Sequence, residues 1–180
     1  SILVVGGEKF GLISFDENGE YLNYRSNSSC AAGTGSFLDQ QAKRLNLKNI
    51  ETFCDFAYRN KEKIPKIASR CAVFAKTDLI HAQQEGYGLE AICDGLSHGL
   101  AKSVIDTLFT RTEPSLPLIF AGGVSQNQAV VRHLSEMLGS EMIVDPYSPV
   151  YGAVGCALSL LADLPSGATD NALSITSTSE

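Results

Sequence analysis

Two of the five cysteines occupy positions where a thiolate could act as a metal ligand. Cys30 is followed by Ala-Ala-Gly-Thr-Gly, and apolar residues at helical spacing predict a helix from Ala32 onward. Free N–H groups and the positive dipole end at the start of a helix lower the pKa of a thiol and stabilise an anionic ligand. Cys71 lies within a strand that we predict from Ile67 to Phe74. These two cysteines are therefore the first candidates for metal chemistry.

The alternative for each cysteine is a packing role, because a free cysteine usually behaves as a small buried hydrophobe. We predict that role for the cysteines on the other predicted helices, Cys54, Cys93 and Cys156. The histidines lack metal-ligand spacing, and we expect surface or helix-packing roles for His81, His98 and His133. Five cysteines in 180 residues are too few for a disulfide scaffold and leave one unpaired, which favours reduced thiols or metal ligands.

Glycine pairs follow two predicted strands and could bring the backbone close to a ligand. Gly6-Gly7 follows the apolar run at residues 2–5, and Gly122-Gly123 follows the run from Leu116 to Ala121. Such turns can approach phosphates or an adenosine closely, and N–H groups at the start of the next helix are free to bond. A glycine pair after a strand is also common packing geometry, so this motif alone is weak evidence.

Composition limits the class of protein. With 180 residues, 44% hydrophobic and 19% charged, the chain has the size and apolar content of one globular domain. A net charge of -6 without a run of Lys or Arg argues against a nucleic-acid or anionic-membrane surface. No apolar stretch approaches the roughly 20 residues that span a bilayer, and the chain opens without a signal-peptide pattern. A cytoplasmic location is therefore expected.

The order of elements predicts an α/β domain. The predicted strands are residues 2–5, 11–16, 21–25, 67–74, 116–121 and 141–144. The predicted helices start after Cys30 and within 50–66, and cover 89–108, 127–138 and 151–161. This order gives a mixed sheet flanked by helices over residues 1–164. A Ser/Thr-rich segment without apolar periodicity follows, and we expect a flexible tail at 165–180.

Five segments together resemble one known family. They are Val5-Gly6-Gly7-Glu8, Cys30 to Leu38, Ser69 to Ala75, Ala121 to Asn127, and Pro149 to Ala157. In order and spacing they resemble the second phosphate-binding loop, the two cluster-cysteine motifs, the adenosine-binding loop and the terminal helix of the activator ATPases of 2-hydroxyacyl-CoA dehydratases. Benzoyl-CoA reductase ATPase subunits are related. The resemblance extends over residues 1 to 162.

The resemblance implies a fold and an arrangement of the nucleotide. The family belongs to the actin-like ATPase superfamily, whose ribonuclease H-like fold has two similar lobes with the nucleotide in the cleft between them. The chain resembles the second lobe, and the Asp-x-Gly-Ser/Thr phosphate loop of the first lobe does not occur in it. We therefore expect these residues to form one wall of a nucleotide cleft, as part of a longer protein or as a degenerate second copy within a longer chain.

The resemblance also implies two cofactors. A 4Fe-4S cluster usually takes four thiolates. In this family two subunits share one cluster, so Cys30 and Cys71 would meet the same pair in a homodimer, with backbone N–H groups after Cys30 facing the cluster sulfurs. ATP or ADP with Mg²⁺ would bind at the positions matching the family's nucleotide loops, which are Gly6, Gly7, Glu8, Gly122, Gly123, Ser125 and Asn127.

The function implied by the resemblance is an iron–sulfur activator. Nucleotide state would change the angle between two subunits and the exposure of their cluster, which passes one electron to a dehydratase-type partner. Two alternatives stay open. One is a non-catalytic regulatory or interaction module with the same fold, and the other is a sugar-kinase-like phosphotransferase, which does not need the Cys-Ala-Ala-Gly-Thr-Gly sequence.

Two positions depart from the family pattern and bear on these alternatives. Val4-Val5 precedes Gly6 where the family has an Asp, and Glu8-Lys9 stands where it has Gln-Asp. A lysine can neutralise phosphate charge, but it cannot bind Mg²⁺ or act as a carboxylate base. The sequence therefore favours nucleotide binding over hydrolysis.

Overall fold

The computed structural model describes residues 1–27, 34–67, 72–109 and 114–163. They belong to two compact units, Ser1–Pro149 and the residues from Val150 onward. The strands are β1 (Ile2–Val5), β2 (Phe10–Phe15), β3 (Tyr21–Ser26), β4 (Leu118–Ala121) and β5 (Met142–Ile143). The helices of the first unit are α1 (Gly35–Arg44), α2 (Ile50–Arg59), α3 (Ala72–Gln84), α4 (Leu89–Leu108) and α5 (Gln128–Leu138). Short 3-10 turns cover Gly123–Gln126 and Ser148–Val150, and the second unit contains α6 (Tyr151–Asp163).

The first three strands form an antiparallel meander. Asp16 closes the hairpin between β2 and β3, because its carboxylate accepts the N–H groups of Asn18 at 2.9 Å and Glu20 at 2.8 Å. Gly19 has a φ of 82°, which a glycine adopts without steric cost. The Asn-Gly pair therefore marks this turn correctly in the sequence.

The sheet has the order β3-β2-β1-β4-β5. The meander is antiparallel, whereas β1 pairs with β4 and β4 with β5 in parallel. Parallel neighbours require crossover connections, which the helices supply. The expected mixed sheet flanked by helices is confirmed, and it brings the ends of β1 and β4 side by side.

The core lies between the sheet and α4. Leu3 and Val5 of β1 and Phe120 of β4 are fully buried. Apolar residues at steps of three and four along α4 are each at most 1% exposed: Ile92, Cys93, Leu96, Leu100, Val104 and Leu108. Leu89 follows the same spacing but is 40% exposed because it is the first residue of the helix. Burial raises the pKa of the Cys93 thiol to about 12, so a packing role for this cysteine is confirmed.

One predicted strand is wrong. Residues from Ala72 onward, expected to end a strand from Ile67 to Phe74, begin the helix α3. A short apolar run fits a strand and a buried helix equally well, and helical spacing becomes visible further on, where Ala75, Leu79 and Ala82 are buried. Cys71 itself lies outside the described residues.

The other predicted elements occur with small shifts at their ends. Helix α1 begins at Gly35 and not at Ala32, since Thr34 still has an extended backbone. The strands predicted at 116–121 and 141–144 are shorter than expected, and α5 begins one residue after its N-cap, Asn127. The proposed tail at 165–180 lies outside the described residues. Within the described ranges, no helix has the length and apolar character that a membrane crossing requires.

A buried carboxylate connects three helices. Asp94 of α4 is 3% exposed, and its Oδ1 accepts hydrogen bonds from Arg132 Nη2 at 2.8 Å and His133 Nε2 at 2.7 Å. Its Oδ2 accepts from Asn60 Nδ2 at 3.0 Å. Burial alone would raise the pKa of Asp94, but the hydrogen bonds from His133 and Asn60 and the charges of His133 and Arg132 outweigh burial and hold that pKa below its usual range.

The Asp94 carboxylate is expected to make stability depend on pH in the acid range. Because its pKa is lowered by folding, its contribution is present above the ordinary Asp pKa of about 3.9 and is lost as pH falls through the lowered value. Asp94→Asn should reduce the free energy of unfolding by about 3 kcal/mol at pH 7, because Arg132 loses its carboxylate partner and the hydrogen bonds from His133 and Asn60 lose a charged acceptor. The difference in unfolding free energy between the two proteins in urea should shrink as pH falls through the lowered pKa of Asp94; a difference that stays constant across the acid range would contradict this account.

Candidate functional site

A cavity of about 580 Å³ lies in the first unit, where the turns after β1 and β4 meet α1 and α2. Its volume falls within the range of small-molecule sites. The lining residues are Gly6, Gly7, Gly35, Leu38, Asp39, Ile50, Glu51, Cys54, Asp55, Tyr58, Gly123, Val124, Gln126, Asn127 and Gln128. The two glycine pairs singled out in the sequence are thus brought to one place by the parallel pairing of β1 with β4.

The turn after β1 is held by the start of α1. The carbonyl of Gly6 accepts the N–H of Gly35 at 2.8 Å, and the carbonyl of Gly7 accepts the N–H of Ser36 at 2.8 Å. The Ser36 hydroxyl also donates to the Gly7 carbonyl. The backbone N–H groups after Cys30 were expected to face the cluster sulfurs. The N–H of Gly35 instead donates to the predicted phosphate loop. The first residues of α1 are therefore bonded directly to that loop.

The glycines after β4 have different roles. Gly122 has φ 90° and ψ 167°, a conformation essentially restricted to glycine. A Cβ at Gly122 would lie 2.8 Å from the carbonyl carbon of Val5 and closer still to its oxygen, so Gly122 permits the close approach of β1. Gly123 lines the cavity, and a Cβ there would meet no atom within 4 Å. Gly122 therefore allows β1 to lie close to the turn after β4, whereas the backbone of Gly123 forms part of the cavity surface.

Asn127 combines a structural bond with an unused donor. Its Oδ1 caps α5 by accepting the N–H groups of Ala129 at 3.1 Å and Val130 at 3.2 Å. The side chain is 2% exposed and lines the cavity, and its Nδ2 is buried without a hydrogen-bond partner among the described residues. An unpaired buried donor costs about 1–3 kcal/mol. A ligand with an acceptor group in the cavity would recover that cost.

Helix α2 supplies a wall that the sequence analysis missed. Glu51, Cys54, Asp55 and Tyr58 recur at steps of three and four and so share one face of the helix. Cys54 packs against the core as predicted, and it is half-buried and also lines the cavity. Burial, followed by the charges of Glu51, Asp39 and Asp55, raises the pKa of its thiol to about 11. This cysteine is therefore a neutral thiol at physiological pH.

The spacing of these α2 residues was visible in the sequence, but nothing marked their face as functional. An exposed polar face of an amphipathic helix is the usual arrangement in a globular protein. The opposite face, with Phe53 and Ala57 fully buried, gave the stronger signal. What makes the polar face a wall is the tertiary position of α2 opposite the glycine turns, which a single sequence does not encode in any local pattern.

The predicted nucleotide residues divide into two groups. Gly6, Gly7, Gly123 and Asn127 line the cavity, whereas Glu8, Gly122 and Ser125 do not. Glu8 is exposed, and Ser125 is 1% exposed with its N–H donated to the Gly122 carbonyl at 3.0 Å. The predicted cluster ligands Cys30 and Cys71 lie outside the described residues. Among the described residues, no three His, Cys, Asp or Glu side chains converge on a position that could hold a metal ion.

The mixed sheet flanked by helices has the fold of an actin-like ATPase lobe, and comparisons with known proteins agree. A model of the BadF/BadG/BcrA/BcrD ATPase family matches residues 1–159. The chain belongs to this family. The 2-hydroxyisocaproyl-CoA dehydratase activator of Clostridioides difficile is 32% identical over 158 residues, which cover 88% of this chain and 58% of that protein.

A second relative and a solved structure give the same result. The (R)-2-hydroxyglutaryl-CoA dehydratase activating ATPase of Acidaminococcus fermentans is 33% identical over 88% of this chain and 59% of its own length. The structure of the activator from Clostridium difficile with bound ADPNP superposes with a TM-score of 0.80 at 30% identity, over 88% of this chain and 58% of that one. The chain thus spans about three fifths of the length of these relatives.

Proposed function

We propose that this chain forms a nucleotide-binding wall of an ATP-dependent iron–sulfur activator that donates one electron to a 2-hydroxyacyl-CoA dehydratase-type enzyme. The observation that carries the nucleotide part is a cavity bounded by two glycine turns and lined by Asn127, whose buried Nδ2 has no hydrogen-bond partner among the described residues. The relative of known structure is described with bound ADPNP, which is the same class of ligand. A cytoplasmic location belongs to the same proposal.

The two ends of the cavity differ in charge. Asp39, Glu51 and Asp55 make the end formed by α1 and α2 acidic. The turns at Gly6-Gly7 and Gly123 carry no side chains and expose backbone to the cavity. Because phosphates are anionic, we expect them at the glycine turns together with Mg²⁺, and the nucleoside at α2.

The residues of α2 suit a nucleoside. Carboxylates accept hydrogen bonds from ribose hydroxyls, and Glu51 and Asp55 are two such groups on one face of the helix. Tyr58 is 49% exposed and offers an aromatic face against which a base can pack. The neutral Cys54 thiol between them adds an apolar surface. In this arrangement the lobe binds and orients the nucleotide.

The cluster part of the proposal rests on the cysteines. One chain offers Cys30 and Cys71, and a 4Fe-4S cluster needs four thiolates, so two copies of the chain would share one cluster in a homodimer. When bound, the cluster supplies one-electron redox chemistry. The bonds from Gly35 and Ser36 to the Gly6 and Gly7 carbonyls support a link between this cofactor and the nucleotide, because Cys30 precedes Gly35 by five residues.

A non-catalytic regulatory module is the second candidate, and the residues around the first turn favour it. Val4 offers no carboxylate, and Lys9 is an exposed cation beyond the turn. Such a module would bind nucleotide without releasing phosphate. Phosphate release from ATP and Mg²⁺ by the natural full-length polypeptide, measured beside ADP binding, separates the two candidates: binding without release supports the regulatory module.

Replacing Asn127 with Asp tests the nucleotide proposal. The variant keeps an oxygen that caps α5 but loses the Nδ2 donor and places a carboxylate at that position. We expect ADP affinity to fall by about tenfold or more, since one buried hydrogen bond is lost and a charge repels phosphate. Isothermal titration calorimetry of the natural full-length polypeptide gives the affinity.

The matched control is Asn127→Ala, which removes the donor and the cap together. It should cost about 1 kcal/mol of stability, measured by urea unfolding, whereas Asn127→Asp should retain the cap's contribution. If Asn127→Asp binds ADP as tightly as the unmodified protein, the orphaned donor has no role in nucleotide binding.

A further inference from the structure

Helix α2 and the start of α5 both line the cavity, and the two helices share one anchor. Helix α2 ends at Arg59, and its C-cap Asn60 donates to Asp94 Oδ2 at 3.0 Å. Helix α5 begins next to Asn127, and its Arg132 and His133 donate to Asp94 Oδ1 at 2.8 and 2.7 Å. One carboxylate on α4 therefore bonds to both walls.

The anchor is buried and rigid. Asp94 is 3% exposed, Asn60 is 7% exposed and His133 is 6% exposed. Asn60 is itself fixed, because its Nδ2 donates to the Glu62 carbonyl at 2.8 Å and its Oδ1 accepts the Glu62 N–H at 3.0 Å. Solvent screens the bonds from Asn60 and His133 to Asp94 only weakly, whereas the Arg132 side chain is 31% exposed.

The bonds of Arg132 and His133 to Asp94 fix α5 against α4. His133 is held by Asp94 on one side and packs edge-on against His98 of α4, with ring centroids 5.1 Å apart. Helices α4 and α5 are thereby fixed at Arg132 and His133, about one and a half turns from the cap Asn127. A shift of α5 at this point would move the Asn127 side chain within the cavity.

We infer that Asp94 is a positioning residue for nucleotide binding, which holds the α2 face and the Asn127 end of α5 at the separation that a nucleotide requires. The inference rests on the proposed nucleotide function of the cavity. Asp94 does not line the cavity, so it acts on the ligand through Asn60, Arg132 and His133.

The test is ADP affinity in the natural full-length polypeptide, measured by calorimetry for Asp94→Asn, Asn60→Ala and the double variant. Asp94→Asn should weaken ADP binding by about tenfold and Asn60→Ala by a smaller factor. Because both substitutions act on one anchor, the double variant should bind about as weakly as Asp94→Asn alone. Asp106→Asn is the control, since it removes a carboxylate from the same helix, where Asp106 pairs with Lys102 at 3.2 Å.

Each outcome bears on a distinct claim. Equal ADP affinity of folded Asp94→Asn and the unmodified protein, or effects of the two substitutions that multiply independently, would overturn the inference. If Asp94→Asn does not fold, Asn60→Ala decides, and an unchanged affinity in that variant overturns it. Failure of the unmodified polypeptide to bind ADP would count against the proposed function itself, and Asp106→Asn should bind ADP like the unmodified polypeptide.

Discussion

Leucine in place of Gly123 is expected to weaken ADP binding by about a hundredfold and to leave the fold intact. The residue lines the cavity, has no positive φ, and a Cβ there meets no atom within 4 Å. The new side chain would therefore occupy space that the nucleotide needs, and an overpacked site of this kind costs about 1–3 kcal/mol. Calorimetric titration with ADP and urea unfolding of the natural full-length polypeptide measure both effects.

The neighbouring glycine provides the matched comparison. Alanine at Gly122 should lower the free energy of unfolding by about 3 kcal/mol, because the residue has a φ of 90° and its Cβ would press on the Val5 carbonyl. Gly123→Leu should thus weaken ADP binding, whereas Gly122→Ala should lower the free energy of unfolding. Loss of stability in Gly123→Leu, or a fully stable Gly122→Ala, would show that the two roles are assigned to the wrong glycines.

Serine in place of Cys71 is expected to abolish cluster binding. A shared 4Fe-4S cluster gives about two iron atoms per chain, and loss of one ligand type from each subunit removes two of four thiolates. Anaerobic reconstitution followed by iron analysis should give about two irons for the unmodified full-length polypeptide and close to none for Cys71→Ser. Cys30→Ser should behave in the same way.

Cys54→Ala is the control for this experiment. Its thiol lies in the cavity wall with a pKa raised to about 11, so it does not supply a thiolate. Iron content should therefore match that of the unmodified protein. Retention of the full iron content in Cys71→Ser would remove this cysteine from the ligand set.

Much of the fold was predictable because the signals were local. The apolar runs of β1, β2 and β4, the long helix α4 and the glycine turns after β1 and β4 were each predicted from a local pattern. Cys71 was placed on a strand because a short apolar run does not distinguish a strand from a helix, and the residues after it are helical. The error concerned one element, and the other predicted strands all occur in the sheet.

The candidate site was predictable only in part. Sequence patterns identified the glycine turns, because their composition is unusual and follows a strand. They could not identify the α2 face or the anchor at Asp94, because those roles arise from residues brought together across 34 to 39 positions of the chain. The different roles of Gly122 in strand packing and Gly123 in the cavity surface also depend on tertiary contacts. Gly122 lies against Val5 of the adjacent strand, and Gly123 does not.

The rate at which an iron chelator removes the cluster, with and without ADP, tests the central claim most directly. Nucleotide binding in the cavity is expected to change the solvent exposure of the cluster. Anaerobically reconstituted full-length polypeptide should release iron at a rate that ADP changes, and Gly123→Leu should release iron at one rate whether ADP is present or not. A reconstituted protein that holds no iron, or whose iron release is the same with and without saturating ADP, would contradict the account.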